Sequence, residues 1–281
     1  MSPGFTGGPP PAWGGAGAPA SASRARYWTG VAVTVVAILS QYFVPELLPA
    51  ARLLYGNLPG DLLVVYGVPI AAFALLVGGA PLRDAFRRLG RATAEGLSWY
   101  GTLSLAALLL LVGLVVVYQL LDPSALALLQ RTNPALEEAA GDPWLFVALS
   151  FLVGACEETI FRGWIFGYWR DQPGGWLGPA AWTSAVFAGV HLYYGITYGA
   201  ASPLIFPGLF LTGFAFAATY RYSGGNLAVV ALLHGENDAS AYLTLPLGAI
   251  GYAIHYAVIL AGAVLALGLY LRRTDAPAPP P

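Results

Sequence analysis

About eight mostly apolar stretches follow one another along this chain, at roughly 27–44, 61–80, 98–121, 144–168, 178–195, 202–220, 226–243 and 249–271. Each is long enough to cross a bilayer, which takes about 20 such residues. In hydrocarbon the backbone N–H and C=O groups have no water to turn to. Each crossing must satisfy them internally, so runs of this length specify helices. The expected fold is therefore all-α: a polytopic membrane helical bundle of about eight transmembrane helices. Only 10% of the residues are charged and 57% are hydrophobic, where a soluble domain carries about a quarter charged. The net charge of −1 gives no electrostatic reason to expect a nucleic-acid partner; the expected surroundings are a lipid bilayer.

Arginine placement supports an even number of crossings. Arg24 and Arg26 precede the first span, and Arg83, Arg87, Arg88 and Arg91 lie between the second and third. Arg170 follows the fourth, Arg221 the sixth, and Arg272 and Arg273 the eighth. All fall on one side if there are eight spans, while the opposite loops hold only Arg52 and Arg131. The positive-inside rule then puts both termini in the cytoplasm of a multi-pass cell-membrane protein, with a bacterial inner membrane the expected setting. Trp99, Tyr100, Trp144, Tyr168 and Trp169 stand near span ends, where aromatic belts sit.

Residues 1–26 are rich in Pro, Gly, Ala and Ser and have too little to bury, so they are expected to be disordered, as is the tail 273–281. The first span lacks a small-residue cleavage site and is read as an uncleaved membrane helix. The transmembrane domain then covers 27–272. The segment 82–96, "LRDAFRRLGRATAEG", reads either as a basic amphipathic stretch on the membrane surface or as a solvated loop. Cys156 has no second cysteine to pair with and reads as a small packing residue.

The fourth span contains "ACEETIFRGW". Ionisable groups inside a span are costly; they usually face the bundle interior, find partners and mark function. Glu158 and Arg162 are four residues apart, on one helix face, and can pair. Glu157 is offset by about 100° and points elsewhere. Two carboxylates in different settings can divide the labour, one as a proton acceptor and one as a fixed charge. The other reading is a charge cluster at the membrane boundary, with Arg162 snorkelling to the surface.

The fifth span adds His191, four residues after Phe187, and the seventh adds His234 and Asp238, again four apart. A carboxylate one turn away can orient an imidazole and set its tautomer. His255 in the eighth span has no acidic neighbour and reads as structural. At 1.5 Å per residue, Glu157 lies about 20 Å from the outer face and His234 about 12 Å from the inner one, a similar depth, with His191 somewhat nearer the outside. Together these groups offer a general base, a second acid/base and donors for an oxyanion. That set can activate a water and cleave an amide without a nucleophilic side chain. Glu157, His191 and His234 are also the residues that would hold a divalent metal such as Zn²⁺ if one were used; no cofactor is the favoured expectation. Gly163 and Gly167 form a G-x-x-x-G stretch that can bring a neighbouring helix close.

The ordered triple Glu157-Glu158-x-x-x-Arg162, Phe187-x-x-x-His191 and His234-x-x-x-Asp238 resembles the signature of the CPBP intramembrane proteases, also called the CAAX-protease or Abi family. That family includes the type II prenyl endopeptidases. The resemblance covers about residues 144–243. It implies that Glu157 activates the water with His191, that Glu158 and Arg162 hold the geometry, and that His234 and Asp238 complete the site and stabilise the oxyanion. It also implies a membrane-anchored peptide or protein as substrate, prenylated or otherwise, with bacteriocin-leader processing and immunity among the family's other roles. Many prenyl endopeptidases carry Asn at the last position, where this chain has Asp238. An ionised Asp cannot donate to an oxyanion; it can orient His234, act protonated, or ligate a metal. Other classes using the same residues are a proton-coupled transporter, since buried Glu, His and Asp also form proton relays, and a non-catalytic immunity protein that keeps the fold.

Overall fold

The computed structural model describes residues 24–48, 58–79, 101–102, 105, 116, 120–121, 142–169, 175–191, 202–222 and 225–247. Among these residues every element is a helix. Helix α1 spans Arg24–Leu47. A second rod runs through α2 (Leu58–Asp61), a π-helical segment π1 (Leu62–Gly67) and α3 (Val68–Leu76). A third combines α4 (Pro143–Glu158), a second π segment π2 (Thr159–Phe166) and α5 (Gly167–Trp169). Then come α6 (Leu177–Val190), α7 (Ser202–Tyr222) and α8 (Leu227–Leu247). These match six of the expected spans in order. The expected span at 249–271, most of that at 98–121, the segment 82–96, His255 and the tail 273–281 lie outside the described residues, as do residues 1–23.

Three of the rods are long and apolar enough to cross a membrane: Arg24–Pro45, Pro59–Leu76 and Trp144–Trp169. Helix α6, with 14 residues, is about 21 Å long at 1.5 Å per residue. Large apolar side chains point outward on several helices; Leu75 is 86% exposed and Val36 67%. An apolar exterior of this kind is what a lipid-facing surface requires.

The third rod holds the centre. All eight residues of π2 are buried, which places that stretch inside the bundle on every side. Its entry is set by Asp142, whose side chain accepts from Leu145 N at 3.0 Å ahead of Pro143 in the first turn. Against one flank lie α1 and α3: the Phe73 ring stacks on Trp164 with centroids 5.5 Å apart, and Trp164 Nε1 donates to Gly78 O. Tyr27 OH donates to Ile165 O and accepts from Trp169 Nε1, while Arg24 sits over the Trp169 ring. The start of α1 and the end of α5 are thus at one level. Against the other flank, Phe166 packs in a second cluster with Phe216, Tyr220, Val230 and Leu233 of α7 and α8.

The crossing of α4 and α8 is closer than side chains permit. A Cβ on Gly154 would lie 2.7 Å from Gly235 N, and one on Gly235 would lie 2.7 Å from the Phe151 Cα. On the same rod this close approach lies about three and a half turns before Gly167, where a Cβ would meet only the Arg162 carbonyl of its own rod. The turn into α8 uses Gly225 at φ 69°, a left-handed conformation that favours glycine, and its N–H caps Tyr220 O.

Gly235→Ala is expected to destabilise the fold by about 1–3 kcal/mol, because the clash is with backbone that cannot swing aside. The check is a lowered thermal unfolding midpoint in detergent, with Gly178→Ala, whose Cβ would meet nothing within 4 Å, leaving the midpoint undiminished.

Candidate active site

Glu158 is the last residue of α4 and Arg162 lies one turn into π2. Both are buried, at 0% and 2% exposure. Arg162 Nη1 donates to Glu158 Oε1 at 2.7 Å, and Nη2 donates to Gly213 O on α7 at 2.8 Å. The guanidinium carbon lies 4.8 Å from the centre of the Phe187 ring and 5.3 Å from that of Phe216. A buried cation is tolerable only when its charge is met and its donors are used; here a carboxylate, a carbonyl and two aromatic faces do so. The arginine does not snorkel to the membrane surface.

His234 on α8 approaches the same carboxylate. Its Nδ1 is 2.6 Å from Glu158 Oε1. An ionised carboxylate only accepts, so Nδ1 carries the proton in this contact. Its Nε2 lies 3.3 Å from Asp238 Oδ2 and 3.8 Å from Glu157 Oε2. The ring stacks on Phe216 with centroids 4.8 Å apart. The expected pairing of His234 with Asp238 one turn later is present, and the stronger contact is the one to Glu158, which no spacing in the sequence reveals.

Glu157 faces another way, as its 100° offset demands. Its Oε1 accepts from Tyr66 OH at 3.0 Å. Tyr66 sits on π1, 91 residues away, and was not among the residues picked out from the sequence. A usable signal exists: a tyrosine hydroxyl inside an apolar run, away from the interface belts, needs a polar partner.

His191 stands at the C-terminal end of α6 rather than within a helix. The helix tightens there, so His191 N–H bonds to Ala188 O and the Phe187 carbonyl is left for the ring. Nδ1 lies 2.7 Å from Phe187 O. A carbonyl can only accept, so Nδ1 donates and Nε2 is the acceptor nitrogen of the neutral ring. The F-x-x-x-H spacing thus sets a tautomer through the backbone, while the Phe187 ring packs against His191, His234 and the Arg162 guanidinium.

A cavity of about 490 Å³ is bordered by Glu157, His191, His234, Asp238 and Tyr66. Its apolar walls include Ile38, Val65, Leu149, Val153 and Leu209. That volume and that mix of apolar wall with a few convergent polar groups are typical of a small-ligand site. Glu158 and Arg162 are not on its lining; they stand behind it. Among the described residues no group of three or more His, Cys, Asp or Glu side chains is arranged to hold a metal ion. His191 Nδ1 is given to a carbonyl, and both His234 nitrogens face carboxylates.

Comparison with known families finds that residues 139–240 match the model described as type II CAAX prenyl endopeptidase Rce1-like. The matched segment contains all three motifs and is similar to the Rce1-like proteases of the CPBP family. Together with the apolar helices, this match supports a multi-pass membrane protein and, for the matched segment, a CAAX-type protease domain. No curated protein and no solved structure matches it.

Arg162→Met is expected to cost about 3–5 kcal/mol, because it leaves Glu158 as a buried charge without its main partner. Adding Glu158→Gln to that variant should recover a large part of the loss. Thermal unfolding of the single and double variants measures both steps; additive losses would contradict the pairing.

Proposed function

We propose that the Rce1-like domain hydrolyses a peptide bond of a membrane-anchored substrate, with Glu157 as the general base. The observation that carries this reading is the convergence of Glu157, His191 and His234, from three different rods, on one cavity. Glu157 takes a proton from a water held between it and His191. The resulting hydroxide attacks the carbonyl carbon, the amide C–N bond breaks, and the proton passes to the leaving nitrogen. Glu158 holds His234 Nδ1 while the Nε2 N–H, oriented by Asp238 beforehand, turns from the Asp238 carboxylate to the oxyanion. Glu158 and Arg162 hold His234 and the wall of the site in register. No step is routed through a metal. Eight crossings with both termini in the cytoplasm are part of the same proposal, as is a cell-membrane location.

The substrate is a peptide or protein whose anchor keeps it in the bilayer beside the apolar walls. Prenylated C-termini are one such class; leader peptides and C-terminal membrane-sorting segments are others.

Glu157→Gln should abolish cleavage while the protein still folds and inserts. The test compares membrane-protein N- and C-termini in cells expressing wild type or Glu157→Gln at equal levels. Termini that depend on Glu157 are the expected result and name the substrate; identical termini would remove the protease reading. Asp238→Asn should keep activity within about tenfold, because an amide oxygen can still face His234 Nε2. A loss as deep as that of Glu157→Gln would show that the negative charge itself is needed.

A further inference from the structure

We infer that Tyr66 is a positioning residue for Glu157, holding its carboxylate so that Oε2 is presented at the cavity, an assignment that rests on Glu157 being the general base. It makes a segment that precedes the Rce1-like domain part of the working site.

Among the described residues, Tyr66 supplies the hydrogen-bond donor to Glu157. The direction of that bond is fixed by chemistry, since an ionised carboxylate has only acceptors and the phenol has the proton. With Oε1 held at 3.0 Å, the other oxygen lies 3.8 Å from His234 Nε2, beyond hydrogen-bond distance. Oε2 is thereby left to accept from a water, which is the role the proposed chemistry gives it. A carboxylate without such an anchor rotates about its terminal torsion, which is broad and weakly restrained.

The anchor is itself held in place. Tyr66 lies in π1, with Val65 beside it 4% exposed and in the core, while Leu63 is 60% exposed on the outer side. A π segment alters the rotation of the helix locally and is found often at functional sites. Here one π segment carries Tyr66, and the other begins immediately after Glu157 and Glu158. The Tyr66–Glu157 bond thus joins π1 to the α4 residue that stands two positions before π2. Regular α-helix through 62–67 would turn the hydroxyl away by a large fraction of the 100° that one residue subtends.

The test uses the full chain in detergent, as wild type, Tyr66→Phe and Leu63→Ala. Phenylalanine keeps the ring and removes only the donor, so the thermal midpoint should hold. On the substrate found by the termini comparison, Tyr66→Phe should lower kcat about tenfold to a hundredfold, the scale of a misplaced catalytic group, with KM within about twofold. A second readout needs no turnover: labelling of Glu157 by a hydrophobic carbodiimide, mapped by peptide mass. Losing the phenol uncovers Oε1, so labelling should quicken severalfold in Tyr66→Phe and stay at the wild-type rate in Leu63→Ala. Wild-type labelling in Tyr66→Phe overturns the contact whether or not the chain is a protease. An unchanged kcat, with cleavage still dependent on Glu157, overturns the positioning role alone. Absence of Glu157-dependent cleavage in wild type removes the base assignment, and the positioning role with it, while the labelling still reports on the contact.

Discussion

The Glu158–Arg162 pair is the interaction that the rest of this structure is arranged around. Placing an ion in a low-dielectric interior costs several kcal/mol even after relaxation, and a buried pair seldom stabilises a fold more than well-packed apolar residues would. Its value here is registration. Glu158 Oε1 receives Arg162 from π2 and His234 from α8, and Arg162 reaches Gly213 on α7. A helix that slid or rotated would leave a buried charge unmet, so three rods are held to one alignment by the penalty for missing it.

That alignment frees the neighbouring carboxylate. Glu157 is adjacent in sequence but faces the cavity, where Tyr66 and His234 lie near it and the arginine does not border the lining. One carboxylate is neutralised from behind and the other is left at the open space. Helix geometry alone produces this division, because successive side chains diverge by about 100°. Phe187 completes the separation: its ring covers the guanidinium while its carbonyl sets the His191 tautomer.

Much of this was legible in the sequence, for identifiable reasons. Six expected spans coincide with described helices because a bilayer demands long apolar helices and little else. Glu158–Arg162 and His234–Asp238 could be read because contacts four residues apart are local. Other features were not local. Gly154 and Gly235 let two helices touch, while Gly167 faces only its own rod; glycine is common along this chain, and only the crossing point decides which matter. His191 was placed inside a span and instead ends a helix. Tyr66 carried a hint in a hydroxyl set within an apolar run, but nothing in its neighbourhood named a partner 91 residues away.

The sequence by itself determined a helical membrane protein with its charges paired at one-turn spacing, since hydrocarbon leaves the backbone few alternatives and an i,i+4 pair needs only its own helix. Tertiary structure alone decided that His234 shares its carboxylate with Arg162 and that Tyr66 holds Glu157. It alone brought both histidines and Glu157 to one cavity. Those contacts depend on how the rods cross and where π segments rotate their faces, and such choices are made by packing between helices, which periodicity along a single helix does not encode.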